Sequence, residues 1–230
     1  MNIIMIPGFW LNGASWDDVA APLRAAGHTV QQLTLPGLES IDADRSAITL
    51  RDHVDAVVAA IDASGEPVVL VGHSGGGAIA WAAADARPAS VARVIYVDSG
   101  PLGDGDNIND ELPVVDGEVP LPDWSVFDDA DLTDLTDELR ERMRRIAIPQ
   151  PLGVASDAQQ LGDPARYGVA STVICCEFDS EQLKKWMEGG AFDELAKVTD
   201  YELVDLPTGH WPQFTRPADL ATTILAAVDR

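Results

Sequence analysis

The chain has 230 residues, 46% of them hydrophobic, which suits one α/β domain or two small ones. Its 38 acidic and 15 basic side chains leave a formal net charge of -23, which argues against nucleic acid and anionic membranes as partners, since both need a positive surface. No apolar run approaches a membrane span, and the stretch from Met1 to Gly8 lacks the basic region and small-residue cleavage site of a signal peptide, so a cytoplasmic protein is expected.

The elements alternate along the chain. Asn2 to Ile6 reads as a strand. Trp16, Val19, Ala20 and Leu23 recur at helical spacing, with Ser15 as N-cap and Gly27 as the stop. Thr29 to Leu35 is a second strand, ended by Pro36-Gly37. Leu50, Val54, Val57, Val58 and Ile61 stripe one face of a helix that opens at Thr49 and ends before Gly65. Val68 to Val71 is a third strand, followed by a helix from Ala78 to Arg87. Val91 to Val97, Ser171 to Cys176 and Tyr201 to Leu206 complete six strands, and Ala218 to Val228 is the closing helix. This alternation implies right-handed crossovers and a mostly parallel sheet with helices on both faces. Cys175 and Cys176 are neighbours on one strand and point to opposite faces, so they read as two reduced thiols with no metal-ligand spacing.

About 70 residues separate the fourth and fifth strands, far more than an ordinary connection needs. The chain therefore divides into a core of residues 1–99 and 169–230 and an inserted helical cap of residues 100–168. The insertion opens with Gly103-Asp104-Gly105-Asp106-Asn107 and carries a helical stripe of Leu132, Leu135, Leu139, Met143 and Ile146, with a second short helix over Val154 to Leu161. Its apolar residues, including Trp124, Val126 and Phe127, must cover something, which favours a cap over a bare surface excursion.

The chemistry centres on Gly72-His73-Ser74-Gly75-Gly76, between the third strand and its helix. G-x-S-x-G in that context is a nucleophile elbow, a tight turn that lifts the serine hydroxyl above the sheet. The alternatives, a plain βα turn or a phosphate cradle, lack support: neither G-x-G-x-x-G nor Gly-Lys-Ser/Thr is present. A serine needs a base. His28 and His53 read as structural, and His73 should point away from the serine. His210, in Gly209-His210-Trp211-Pro212, lies in the loop after the last strand, on the elbow's side of the sheet. The base in turn needs a carboxylate. Asp179 after the fifth strand and Asp98 after the fourth both qualify, with Glu177 third. The oxyanion hole needs two backbone N–H groups, one from Gly75 and one from Phe9 in the turn Pro7-Gly8-Phe9-Trp10. Trp10, Trp124, Phe127 and Trp211 are the candidate pocket residues.

Three landmarks then fall in order: Met5-Ile6-Pro7-Gly8-Phe9-Trp10, Gly72 to Gly76, and Gly209-His210. Together they resemble the α/β-hydrolase superfamily over nearly the whole chain. Ala25-Ala26-Gly27-His28-Thr29-Val30 and Leu35-Pro36-Gly37 are similar to small esterases and the methylesterase/hydroxynitrile-lyase group. The resemblance implies a minimal α/β-hydrolase fold with strand order 2-1-3-4-5-6. It also implies a Ser-His-Asp triad of Ser74, His210 and Asp179, since Cys176-Glu177-Phe178-Asp179 keeps the family's acid spacing though not its glycine, with Asp98 as the alternative. The oxyanion turn departs too, with Pro7 where the family usually has histidine. The implied function is hydrolysis of a carboxylic ester or lactone of a small, largely apolar molecule, without metal or cofactor. A lyase using the same three groups is the alternative, and a non-catalytic ligand-binding homologue the third reading.

Overall fold

Alternate side chains along the strands divide between two cores, and this division places every layer of the molecule. The structure, a computed structural model, describes residues 1–230. Six strands form one sheet: β1 (Asn2–Ile6), β2 (Thr29–Gln32), β3 (Val68–His73), β4 (Val91–Val97), β5 (Ala170–Cys175) and β6 (Tyr201–Asp205). They lie in the order β2-β1-β3-β4-β5-β6 and pair in parallel throughout. Ile4, Ile6, Leu70, Val94, Tyr96 and Val173 face one way, onto α2 (Leu50–Ser64) and α3 (Gly75–Ala86). Ile3, Met5, Val69, Val71, Ile95, Val97 and Ile174 face the other, onto α1 (Asp17–Ala25) and the C-terminal helix Pro217–Val228. The period of two puts adjacent Cys175 and Cys176 into opposite cores as free thiols. Burial pushes the Cys175 thiol up to about 12, so it stays protonated at neutral pH.

The order reverses at β1, whose two neighbours are β2 and β3. Ligands of such sheets lie beyond the carboxyl ends of the strands at this switch point. From residue 98 to residue 169 the chain leaves the sheet and builds over those ends. This inserted segment holds α4 (Asp137–Ile146), α5 (Leu152–Ser156) and a two-strand ribbon of Glu118–Val119 with Gln150–Pro151. It is tied down by Ile148 N–H donating to the Trp10 carbonyl (2.9 Å), Trp10 Nε1–H donating to the Val119 carbonyl (3.0 Å) and an ion pair of the buried Arg45 with the half-buried Glu118 (2.9 Å). After β5 come α6 (Ser180–Glu188) and α7 (Asp193–Ala196), and after β6 come α8 (Pro212–Thr215) and α9, the Pro217–Val228 helix.

Several local expectations change. Ser15 is not a helix cap: Asn12 Oδ1 accepts from Ala14 N–H and opens a short 3-10 turn, Gly13–Trp16, ahead of α1. Strand β2 stops at Gln32, three residues early. In the insertion, the Thr136 hydroxyl accepts from Leu139 N–H and starts α4 at Asp137, so Leu132 and Leu135 belong to the preceding turn. The second insertion helix is α5, two residues earlier and shorter than Val154 to Leu161. Thr49 does open α2, in a reciprocal capping box with Asp52.

Candidate active site

Ser74 sits at φ 51° and ψ -128°, a conformation an L-residue adopts only under constraint. The constraint is steric closeness on both sides. A side chain on Gly72 would come within 2.5 Å of the Gly76 carbonyl oxygen, and one on Gly76 within 2.6 Å of the carbonyls of Ile6 and Pro7. The strand, the elbow and the start of α3 are thus pressed together, and only glycine permits it. Ser74 N–H donates to the Val97 carbonyl (3.1 Å), fixing the turn against β4. Gly75 is the first residue of α3, where an amide has no acceptor within the helix. Phe9 N–H makes no backbone hydrogen bond either. Both residues line the cavity beside Ser74.

His210 is held on three sides. Its Nδ1–H donates to Asp98 Oδ2 at 2.7 Å. Its carbonyl oxygen accepts from His73 Nε2–H at 2.6 Å, while Gln213 Nε2–H donates to His73 Nδ1 at 3.2 Å. His73 is therefore a neutral strut under the loop, and burial, with the nearby His210 charge, pushes its pKa down to about 3. Asp98 has φ 49° and a fully buried side chain. Its Oδ1 accepts the N–H groups of Cys176 (3.0 Å) and Glu177 (3.1 Å), so both oxygens are engaged. Glu177 Oε2 lies 3.6 Å from His210 Nδ1. Burial alone would lower the His210 pKa, but hydrogen bonding and charge from Asp98 and Glu177 outweigh it and raise it to about 10.

Asp179, expected as the partner of His210, is engaged elsewhere. It is the N-cap of α6, its carboxylate accepting from Gln182 N–H at 2.7 Å, while Asp98 occupies His210 Nδ1. Spacing after β5 does not decide the contact, because the chain turns away into α6 at that point. Ser74 and His210 face one cavity, and no hydrogen bond joins them in this structure. Such bonds are commonly long before substrate enters and tighten in the complex.

Asp98, Glu177 and His210 offer three ligand atoms within 4.8 Å of one another. The 2.7 Å between His210 Nδ1 and Asp98 Oδ2 is a proton's spacing. A tetrahedral ion with bonds of about 2.0–2.1 Å would hold the two atoms about 3.3 Å apart, so the cluster is set for a hydrogen bond.

A family model described as "Alpha/beta hydrolase family" matches residues 3–223. The chain belongs to the alpha/beta hydrolase family. It is 32% identical over 114 residues to a carbendazim hydrolyzing esterase of Nocardioides sp., a match covering 49% of this chain and 47% of that protein. The chain thus matches about half the length of this relative. To lipase LipV of Mycobacterium tuberculosis it is 29% identical over an alignment of 250 residues, covering 97% of this chain and 91% of the lipase. Among solved structures, an extracellular alpha/beta-hydrolase from a Paenibacillus species superposes with a TM-score of 0.80 at 19% identity, over 99% of this chain and 98% of that one. That last likeness speaks for the fold.

In this alpha/beta hydrolase the cavity over Ser74 measures about 1040 Å³. Trp10 and Phe127 line it as expected. Trp124 and Trp211 do not: they pack behind Phe127, at ring-centroid distances of 5.7 and 5.2 Å, and Trp211 is fully buried. The sequence reading missed Tyr167, Phe178 and Phe192, which also line it. Phe178, inside the Glu177-Phe178-Asp179 run that carried the acid candidates, was the available signal. Phe192 has φ 56°, which no spacing rule would flag. No helix is long and apolar enough to cross a membrane.

Proposed function

We propose that the protein is a serine hydrolase that cleaves a carboxylic ester or lactone of a small, largely apolar molecule through an acyl-enzyme. Its relatives are named esterase and lipase, and the aromatic walls of the cavity suit an apolar substrate. The observation that carries the reading is the 2.7 Å bond between His210 Nδ1 and the buried Asp98, beside a serine held in a strained elbow. Ser74, His210 and Asp98 form the triad. The segment 100–168 serves as a cap that supplies one wall of the pocket.

His210 Nε2 takes the hydroxyl proton as Ser74 Oγ bonds to the carbonyl carbon. The carbonyl electron pair moves onto oxygen, which the N–H groups of Phe9 and Gly75 stabilise. Asp98 keeps Nδ1 protonated, so Nε2 is the basic nitrogen, and it stabilises the imidazolium that forms. The pair on oxygen then returns, the bond to the alcohol oxygen breaks, and His210 delivers its proton to that oxygen. Water repeats the sequence on the acyl-enzyme and releases the acid. A lactone follows the same steps with its alcohol still tethered.

A short-chain nitrophenyl ester tests this. Ser74→Ala should lose about 10⁴–10⁶-fold in kcat with little change in Tm. Turnover within tenfold of wild type in that variant would overturn the mechanism. Labelling by a fluorophosphonate and an acyl burst separate this reading from a lyase, which would show no burst with its own substrate.

A further inference from the structure

We propose that the two-strand ribbon of the insertion belongs to the oxyanion machinery: through Gln150 it holds Trp10 in a left-handed conformation and leaves the Phe9 N–H as the amide free for substrate. The proposal rests on the reading of Ser74 as nucleophile and of Phe9 and Gly75 as oxyanion donors. The turn after β1 is closed by Leu11 N–H donating to the Gly8 carbonyl at 3.4 Å. Trp10 is the third residue of that turn and has φ 65°. Turns with a positive φ there normally carry glycine, and for a bulky side chain the conformation is an outlier. It persists only where the surrounding structure over-determines it.

Here the surrounding structure is the ribbon. Gln150 Oε1 accepts from Trp10 N–H at 3.4 Å, the Trp10 carbonyl accepts from Ile148 N–H at 2.9 Å, and Trp10 Nε1–H donates to the Val119 carbonyl at 3.0 Å. Val119 and Gln150 face each other in the antiparallel register. One step of the ribbon therefore takes Trp10 by its amide and by its indole. The Gln150 side chain is buried, 1% of the residue being exposed, and the Trp10 amide is its one hydrogen-bond partner.

The core side of the turn is pinned as tightly. A side chain on Gly8 would come within 2.6 Å of His73 Nδ1, and one on Gly75 within 2.8 Å of the Phe9 ring. The Phe9 ring thus fills the space that a side chain after Ser74 would need, and it sets the two oxyanion residues against each other. The amides of the turn are then divided. Leu11 N–H closes the turn, Trp10 N–H goes to Gln150, and Phe9 N–H makes no hydrogen bond to backbone or side chain. Gln150 lies outside the cavity lining and is a positioning residue. Without its oxygen, the Trp10 amide is released and the Phe9 amide loses its bearing on the carbonyl oxygen. An oxyanion donor acts as charge develops, so the loss falls on kcat rather than on KM.

The test compares Gln150→Leu, which removes the acceptor at similar volume, with Gln150→Glu, which keeps an acceptor oxygen. A nitrophenyl ester gives kcat and KM, and end-point labelling by a fluorophosphonate counts competent sites. A trifluoromethyl ketone, whose adduct with a serine carries an oxyanion, gives Ki. Gln150→Leu should lower kcat per competent site about 10–100-fold, leave KM within about twofold, and raise Ki by the factor that kcat/KM loses. Gln150→Glu should lie closer to wild type than to Gln150→Leu. Wild-type kcat in Gln150→Leu, a loss confined to KM, or Gln150→Glu as slow as Gln150→Leu overturns the proposal. If Gln150→Leu does not fold, Trp10→Phe decides. It keeps a ring in the wall, loses the bond to Val119, and should show the same kcat and Ki pattern at smaller size; unchanged kcat and Ki overturn the proposal. An active Ser74→Ala enzyme sinks the hydrolase reading instead, whereas silent Gln150 variants of an enzyme that Ser74→Ala inactivates sink the ribbon's role alone.

Discussion

The carboxyl ends of β4 and β5 each present an aspartate toward the same rim, and the two have opposite fates. Asp98 leaves β4 in a left-handed conformation, goes fully into the interior and accepts two backbone amides and one imidazole. Asp179 leaves β5 in extended backbone and satisfies the first turn of α6. The difference lies in the donors each finds. A buried carboxylate must have both oxygens engaged, and at Asp98 the amides of Cys176 and Glu177 take one oxygen and leave the other aimed at His210. An exposed carboxylate at a helix start has a partner in its own chain three residues on. Strand-end position nominates a partner for the histidine, and the surrounding donors choose it.

The largest effect should come from breaking the buried side of this pair. Asp98→Asn should cost about 10³–10⁴-fold in kcat/KM, because an amide donates where Nδ1–H needs an acceptor. Asp179→Asn should stay within about threefold of wild type and show a loss of about 0.5–2 kcal/mol in denaturant unfolding at most. The reverse ranking would return the acid role to β5. Next in size is Gly209→Ala, whose methyl meets the Asp131 and Thr133 carbonyls. It should lower kcat/KM at least about tenfold, since an ångström of misplacement at a catalytic group is that costly, while far-ultraviolet circular dichroism stays native. An unchanged kcat/KM would mean the inserted turn does not bear on His210.

The pH effects on stability have opposite signs. The folded His210 pKa of about 10 lies above its ordinary 6.5. Its contribution to stability is full below pH 6.5 and is lost as pH rises through about 10. The same shift leaves His210 mostly protonated at neutral pH, so kcat/KM should climb roughly tenfold per pH unit on the way up. A plateau already reached at pH 7 would show that Asp98 and Glu177 do not hold the proton this firmly. Burial lowers His53 from 6.5 to about 4, outweighing its bond to the Pro36 carbonyl. Its share of stability is present above pH 6.5 and lost as pH falls through about 4, so His53→Gln should flatten the drop in Tm over that window. A drop as steep as in wild type would assign acid sensitivity to other groups, His73 among them.

Much of this was legible in the chain. The six parallel strands, the elbow and the histidine loop follow from the alternation of apolar runs, from Gly72 and Gly76, and from the place of His210 after the last strand, while the strand order came from the family resemblance. These are local signals, and the sheet's crossover rules carry them into space. The choice of acid was not legible, because Asp98 is selected by amides 78 and 79 residues away in sequence. The pocket walls were only half legible. Trp211 read as lining from its place beside His210 and Trp124 from its place in the insertion, yet they back up Phe127, and Tyr167 and Phe192 enter through turns with no periodic signature. The Asn12 and Thr136 caps set where the first 3-10 turn and α4 begin, at positions that the apolar spacing does not mark.

The most direct measurement is the rate at which a fluorophosphonate labels the protein, read by intact mass and peptide mapping. The account predicts a single adduct on Ser74, formed far more slowly in Asp98→Asn and at the wild-type rate in Asp179→Asn. An adduct on another residue, or slowing in Asp179→Asn while Asp98→Asn reacts normally, would contradict it.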